Sequence, residues 1–186
     1  MPATEAPPTL GQALADYRQR WPAEAGPVAL FEQLLDEGGH AFARERLAGH
    51  FTASAWLVAA DGARVLLTHH RKLGLWLQLG GHADGDRDLV RAALKEAEEE
   101  SGLEGLRVDG DGIFDLDRHW IPDHKGVPAH WHYDVRYVVR AGADEAFVVS
   151  DESHALAWRE IAELAESEAA DASVRRMARK WMARAM

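Results

Sequence analysis

The chain contains no cysteine in its 186 residues. Disulfides, thiolate metal sites and a cysteine nucleophile are therefore excluded, and a reducing compartment is compatible with that absence. Long apolar runs are also missing, since none approaches the ~20 residues needed to span a bilayer. The opening MPATEAPPTLGQ has neither a basic stretch nor an apolar core, so it does not read as a secretory signal. These absences predict a soluble, cytoplasmic protein. Basic charge is scarce, with 21 Lys and Arg against 31 Asp and Glu and a net charge of −10. A basic surface for nucleic acid is excluded on that balance. An acidic chain that acts on a phosphate compound needs a local positive centre, and a divalent metal held by carboxylates supplies one.

Apolar residues make up 47% of the chain, enough for one domain with a full core. Residues 1–8 hold three prolines among small residues and read as a flexible tail. LGQALADYRQRW (Leu10–Trp21) reads as a helix ended by Pro22. PVALFEQLLDEGG follows at helical spacing and stops at Gly38 and Gly39, and a short third helix is expected over His40–Leu47. Residues 9–48 thus form an N-terminal helical extension. TASAWLVAADGARVLLTHH then gives two strand-type runs around an Asp-Gly turn. A helix from about Asp88 to Ser101 is closed by Gly102. GIFDLDRHWIP, AHWHYDVRYVVRA and AFVVS read as strands. HALAWREIAELAE turns helical near Trp158, and DASVRRMARKWMARAM is a last amphipathic helix, suited to packing or to a dimer contact. The order predicts an α+β or α/β/α layered domain.

The helix before Gly102 carries an unusual load. At about 100° per residue, Leu89, Val90, Ala93, Leu94 and Ala97 face the core, while Glu96, Glu99 and Glu100 share a sector beside them and Glu98 points away. A charge run usually means a solvated face. Here the acids sit in the last turns, where the helix dipole disfavours negative charge. A glycine pair, Gly80 and Gly81, also leads into the helix, where close backbone approach matters. Hard oxygen ligands at this spacing suit Mg²⁺ or Mn²⁺.

The stretch from Gly81 to Leu103 resembles the Nudix box, G-x5-E-x7-R-E-U-x-E-E-x-G-U, where U is a bulky aliphatic residue. Gly81, Glu96, Glu99, Glu100, Gly102 and Leu103 match, with no gap in the spacing. WLQLGG (Trp76–Gly81) is similar to the W-x-x-P-G-G lead-in of that family, and the likeness extends over about residues 50–165. It implies a Nudix-like α/β/α sandwich with a mixed sheet over residues 49–186, the helical extension capping it. It also implies metal-dependent hydrolysis of a pyrophosphate bond in a nucleoside diphosphate derivative or similar small diphosphate. Glu96, Glu99 and Glu100 would then be metal ligands, joined by a backbone carbonyl at Gly80 or Gly81. A box glutamate such as Glu99 or Glu100, or Glu152 in the loop before the last strand, would be the base. Many relatives form homodimers. The departures are Arg87 at the family's first Glu, Lys95 at its Arg, Ala97 at an aliphatic position and Leu79 at the lead-in Pro. Either Asp86 or Asp88 is available to replace the missing Glu. Arg87 and Lys95 keep open a second reading, a binding module for a nucleotide or sugar phosphate without turnover. An isomerase of the isopentenyl-diphosphate type relies on a cysteine, which this chain lacks.

PAHWHYDVRYVV holds a second constellation. Strand alternation puts His130, His132, Asp134 and Arg136 on one face. That face either lines a substrate cleft, with Arg136 on a phosphate and a histidine on the base or leaving group, or is an exposed face at a sheet edge. A His-x-His-x-Asp set also matches a short transition-metal pattern. His82 follows Gly81 directly and belongs near the metal. Trp76 and Trp120 are the tryptophans suited to stacking on a base.

Overall fold

The computed structural model describes residues 8–70, 74–110, 112–124, 126–149 and 155–184. Residues 1–7 of the expected tail lie outside this range. Asp61 and Gly62 turn the chain between β1 (Gly49–Val58) and β2 (Arg64–His70), with the Asp61 carboxylate accepting from the Ala63 N–H at 2.9 Å. Gly62 has φ 75°, the left-handed backbone that an Asp-Gly hairpin needs. The two strands pair only beside the turn, at Val58 and Val65. Beyond it, β3 (Leu75–Leu77) pairs with β2, and β4 (Leu79–His82) pairs antiparallel with β1.

The spine of the sheet is the parallel pair of β1 with β7 (His130–Arg140), in register from Gly49 opposite Trp131 to Val58 opposite Arg140. All ten residues of β1 are buried, as expected of a strand covered on both faces. Antiparallel partners of β7 are β5 (Arg107–Val108) and β6 (Asp115–Ile121), and β8 (Leu156–Glu160) closes on β2. One face of β1 (Ala53, Ala55, Leu57) meets α3 (Leu89–Ser101) through Ala93 and Ala97. The small side chains let the helix approach closely. Its N-cap is Asp88, which accepts from the Arg91 N–H at 3.0 Å, and Gly102 at φ 67° ends it. Helices α1 (Leu10–Arg20) and α2 (Ala25–Leu35) join this layer around Phe31, Phe51 and Tyr133. The opposite face (Trp56, Val58, Val138) is covered by α4 (Ile161–Glu166) and α5 (Ala172–Arg184). This is the α/β/α sandwich with a mixed sheet and helices at both ends. No described helix is long and apolar enough to cross a membrane.

Three local expectations are corrected. The stretch 40–47 forms only a 3₁₀ segment, Gly38–Phe42, followed by turns. Residues 146–149 of AFVVS are not a strand: the Val148 N–H donates to the Ser101 carbonyl at 2.8 Å, so the segment serves the end of α3. Trp158 is strand, not helix, because β8 finds a ladder partner in β2. The apolar face of α5 (Val174, Met177, Ala178) is spent inside the molecule, against the sheet.

The polar face of β7 is interior. Arg136 is 2% exposed; its Nε donates to Asp134 at 2.8 Å and its Nη1 to Asp115 at 3.2 Å. Asp115 is fully buried and also receives Arg176 at 2.7 Å and Lys180 at 2.8 Å from α5. Lys180 reaches on to the Tyr17 hydroxyl of α1 at 2.6 Å and to Glu24 at 2.7 Å. Burial alone would raise the Asp115 pKa. The Arg176 hydrogen bonds and the charges of Arg136, Arg176 and Lys180 outweigh it and hold the carboxyl below its usual range.

Asp115→Asn strands three cations beside a neutral group and is expected to destabilise the fold by about 3–5 kcal/mol, read from urea denaturation at pH 7. The same linkage gives a pH dependence. A carboxyl depressed in the folded state contributes stability that is present above its unfolded value near ~3.9 and lost as pH falls through that value toward the folded one. Wild-type stability should therefore drop below about pH 4, and the Asn variant should show a shallower drop; equal slopes would remove Asp115 from this role.

Candidate functional site

Strand β4 brings the glycine pair against α3. Gly81 lies opposite Ala53, on the helix face of the sheet. A Cβ added to Gly81 would stand 2.5 Å from Glu96 Oε2, and one added to Gly80 would stand 2.6 Å from the Ala53 carbonyl. The Gly80 N–H donates to Glu100 Oε2 at 3.2 Å. Two of the three box glutamates, Glu96 and Glu100, are thus folded onto the Gly80–Gly81 backbone and partly buried there. Glu99 is 59% exposed and pairs with Lys95 at 2.9 Å. Lys95, at the position of the family's Arg, neutralises the outermost acid of the run.

Arg87 has a structural explanation. Its guanidinium lies over the Phe42 ring, 6.0 Å from the centroid, and within 3.3 Å of where a Gly39 Cβ would be. It fastens the box loop to the N-terminal extension. Asp86 and Asp88, expected as stand-ins for the missing Glu, are committed elsewhere. Asp86 holds Arg91 through bonds of 2.7 and 2.9 Å, and Asp88 caps α3.

On the other sheet face, His50, His82, His130 and His132 converge, with one ring nitrogen of each within 4.8 Å of the others. Burial, then the charge of Arg44, lowers His82 to about 4; burial, then His82, lowers His132 to about 2. Burial also lowers His50. In His82, His132 and His50 burial thus favours the neutral ring, which offers a lone pair rather than positive charge. Asp134, expected to complete a His-x-His-x-Asp set, is not part of this group. It accepts from Thr52 at 3.0 Å, Ser54 at 2.8 Å and Arg136 at 2.8 Å. Arg136, expected on a substrate phosphate, spends its guanidinium on interior carboxylates. Trp76 is half-buried on β3, its ring 5.2 Å from His69 and 5.7 Å from the Arg159 guanidinium. Trp120 is 50% exposed beside Trp131. Glu152 lies outside the described residues.

The sequence reading did not single out His50, Arg176 or Lys180. His50 announces itself only through strand pairing, the parallel register that sets it beside His132 and the β1–β4 ladder that brings His82 to it. Arg176 and Lys180 carried a signal, a four-residue spacing that lets both reach one buried carboxylate.

A family model, NUDIX domain, matches residues 49–181. No match was found among curated proteins. Solved structures similar to this chain include a NUDIX-family hydrolase from Clostridium perfringens, at 24% identity and TM-score 0.56, covering 74% of this chain and 98% of that one. An Ap4A hydrolase from C. elegans follows at 20% identity and TM-score 0.56, covering 73% and 96%. A Nudix hydrolase from M. smegmatis, RenU, is 23% identical with TM-score 0.53, covering 73% and 88%. At these identities the likeness establishes the fold, and the family rests on the matched model. With its mixed sheet, its glycine pair and the glutamates of α3 folded onto it, the chain belongs to the NUDIX domain family of hydrolases.

Proposed function

We propose that this chain is a divalent-metal-dependent hydrolase of a pyrophosphate bond, acting on a nucleoside diphosphate derivative or similar small diphosphate. The observation that carries the reading is the fold-back of Glu96 and Glu100 onto Gly80–Gly81, a cradle closed enough that a Cβ at Gly81 would fall 2.5 Å from a carboxylate oxygen. The donor set fits Mg²⁺ or Mn²⁺, because it consists of carboxylate and backbone carbonyl oxygens alone. The position of the acids in the last turns of α3, against the helix dipole, also calls for a cation.

Glu96 and Glu100 are the ligands favoured by this geometry, and the Gly81 carbonyl is proposed as a further oxygen donor. When bound, the metal neutralises phosphate oxygens and lowers the pKa of the attacking water. Glu99, on the solvent side of the same turn and paired with Lys95, is the proposed base, and Glu152 is the second candidate. Trp76 is the residue proposed to stack on a base. Arg136 is not carried forward as a phosphate contact, because its partners are already internal.

The test is phosphate or nucleotide release from a panel of diphosphates, with and without Mg²⁺. Turnover that requires Mg²⁺ supports hydrolysis; a diphosphate bound tightly but uncleaved supports the binding-module reading. Glu96→Gln and Glu100→Gln should each cost about 100-fold or more, beyond the ~10–100-fold of a typical outer-shell partner, with the fold intact by circular dichroism. Full retention of activity by both would sink the assignment. Glu99→Gln should lower kcat while leaving the Mg²⁺ concentration for half-activity unchanged; a shift in that concentration would make Glu99 a ligand instead.

Gly81→Ala and Gly80→Ala separate site from scaffold. The Gly81 substitution meets the end of a flexible side chain, so it should displace Glu96 and raise the Mg²⁺ requirement with little loss of stability. At Gly80 the new methyl meets backbone. Overpacking of that kind costs about 1–3 kcal/mol, measurable as a lower Tm. The reverse pattern would refute the cradle.

A further inference from the structure

Four imidazoles from three strands meet at one end of the polar sheet face: His50 on β1, His82 on β4, His130 and His132 on β7. Beyond the oxygen-ligand site proposed above, we propose that these four side chains bind a divalent transition-metal ion, of the Zn²⁺ class, through nitrogen alone. The distances suit it. A tetrahedral ion with metal–nitrogen bonds of about 2.0–2.1 Å sets nitrogen–nitrogen edges of roughly 3.3–3.4 Å. His130 Nε2 and His132 Nε2 already stand 3.1 Å apart, and all four nitrogens lie within 4.8 Å of one another.

His50 supplies an independent observation. It is 2% exposed, and its Nε2 is buried with no hydrogen-bond partner among the described residues. Its ring stands 5.0–5.2 Å from the rings of the other three histidines, so the orphaned nitrogen belongs to the ring that all three others surround. Buried polar atoms are nearly always satisfied, and one left over needs an explanation. A metal provides it.

The outer contacts agree. His50 Nδ1 lies 3.3 Å from the Arg46 carbonyl and His130 Nδ1 lies 2.7 Å from the Pro128 carbonyl. A carbonyl can only accept, so Nδ1 carries the proton in each ring and Nε2 keeps its lone pair. Histidine ligands are commonly oriented in this way, the second nitrogen donating to a backbone carbonyl. The choice of ion follows from the donors. Asp134, the carboxylate on the same strand face, is occupied by Thr52, Ser54 and Arg136. An all-imidazole set favours Zn²⁺, Co²⁺, Ni²⁺ or Cu²⁺ and is poor for Mg²⁺. Bound there, the ion ties the starts of β1 and β7 to the residue that follows Gly81.

The test uses the full chain, stripped with a chelator and titrated with Co²⁺ under visible absorption and calorimetry. With excess Mg²⁺ holding the oxygen site, one Co²⁺ per chain is expected, with the d–d bands of a four-coordinate nitrogen site, bleached by Zn²⁺. His132→Ala and the half-buried His82→Asn should weaken Co²⁺ binding by about 100-fold or more, exceeding an outer-shell loss. His82→Asn guards against a variant that fails to fold, checked by circular dichroism of the metal-free protein. The Glu96→Gln, Glu100→Gln double variant should keep the bands, so that failure of the oxygen site and failure of this one are told apart. No Co²⁺ uptake, bands that survive both histidine substitutions, or bands lost with the glutamates would each overturn the proposal.

Discussion

Asp115 is a fully buried carboxylate that draws Arg136, Arg176 and Lys180 to one point. Desolvating such a group is expensive, and it is tolerated only because each oxygen is matched by charged donors. The match needs β6, β7 and α5 in fixed relation, and through Lys180 it reaches Tyr17 of α1. It therefore orders elements from both ends of the chain around the sheet. Its effect continues along β7. Arg136 holds Asp134, Asp134 collects Thr52 and Ser54 from β1, and the histidines follow at the end of the strand. A one-residue slip of β1 against β7 would turn His50, Thr52 and Ser54 to the apolar face and leave Asp134 without them. The ion cluster thus fixes the register that both candidate metal sites require.

The box helix obeys a different constraint, close approach. Ala93 and Ala97 let α3 lie against Ala53 and Ala55, and the bare backbone of Gly80 and Gly81 lets Glu96 and Glu100 fold inward. The family's bulky aliphatic after Glu96 is Ala97 here, at the contact where α3 meets the sheet. Arg87, a reversed charge by the family pattern, is consistent once its partners are seen. It stacks on Phe42, so the box loop and the N-terminal extension are held as one piece.

Much of this is legible in the sequence, for physical reasons. Helix α3 declares itself by periodicity, an Asp cap and a terminal glycine; the β1–β2 hairpin declares itself by Asp-Gly between apolar runs. These are local signals. The misread parts depend on distant partners. Val148 lacks a strand partner because the end of α3 takes its N–H, and Trp158 is extended because β2 offers a ladder. The face of β7 was predicted correctly as polar, yet its place was not. Asp134 on β7 is one partner of Arg136, but its other carboxylates, Asp115 and Asp117, come from β6, and β7 alone carries no trace of that pairing. His50 is silent for the same reason, since the pairing of β1 with β7 and β4 gives it its neighbours.

Alternation along β4 then separates two kinds of donor. Gly81 pairs with Ala53 and looks toward α3, where the oxygens of Glu96 and Glu100 stand; His82 pairs with Thr52 and looks toward the imidazoles. Consecutive residues of one strand must face opposite ways. A hard, oxygen-seeking ion and a nitrogen-seeking one can therefore be served by neighbouring residues without sharing a ligand. Ligand chemistry rather than affinity alone keeps them apart, because carboxylates and carbonyls suit Mg²⁺ while neutral imidazoles do not. The pleat of a single short strand is enough to place the proposed transition-metal site beside the hydrolytic one and to keep it chemically distinct.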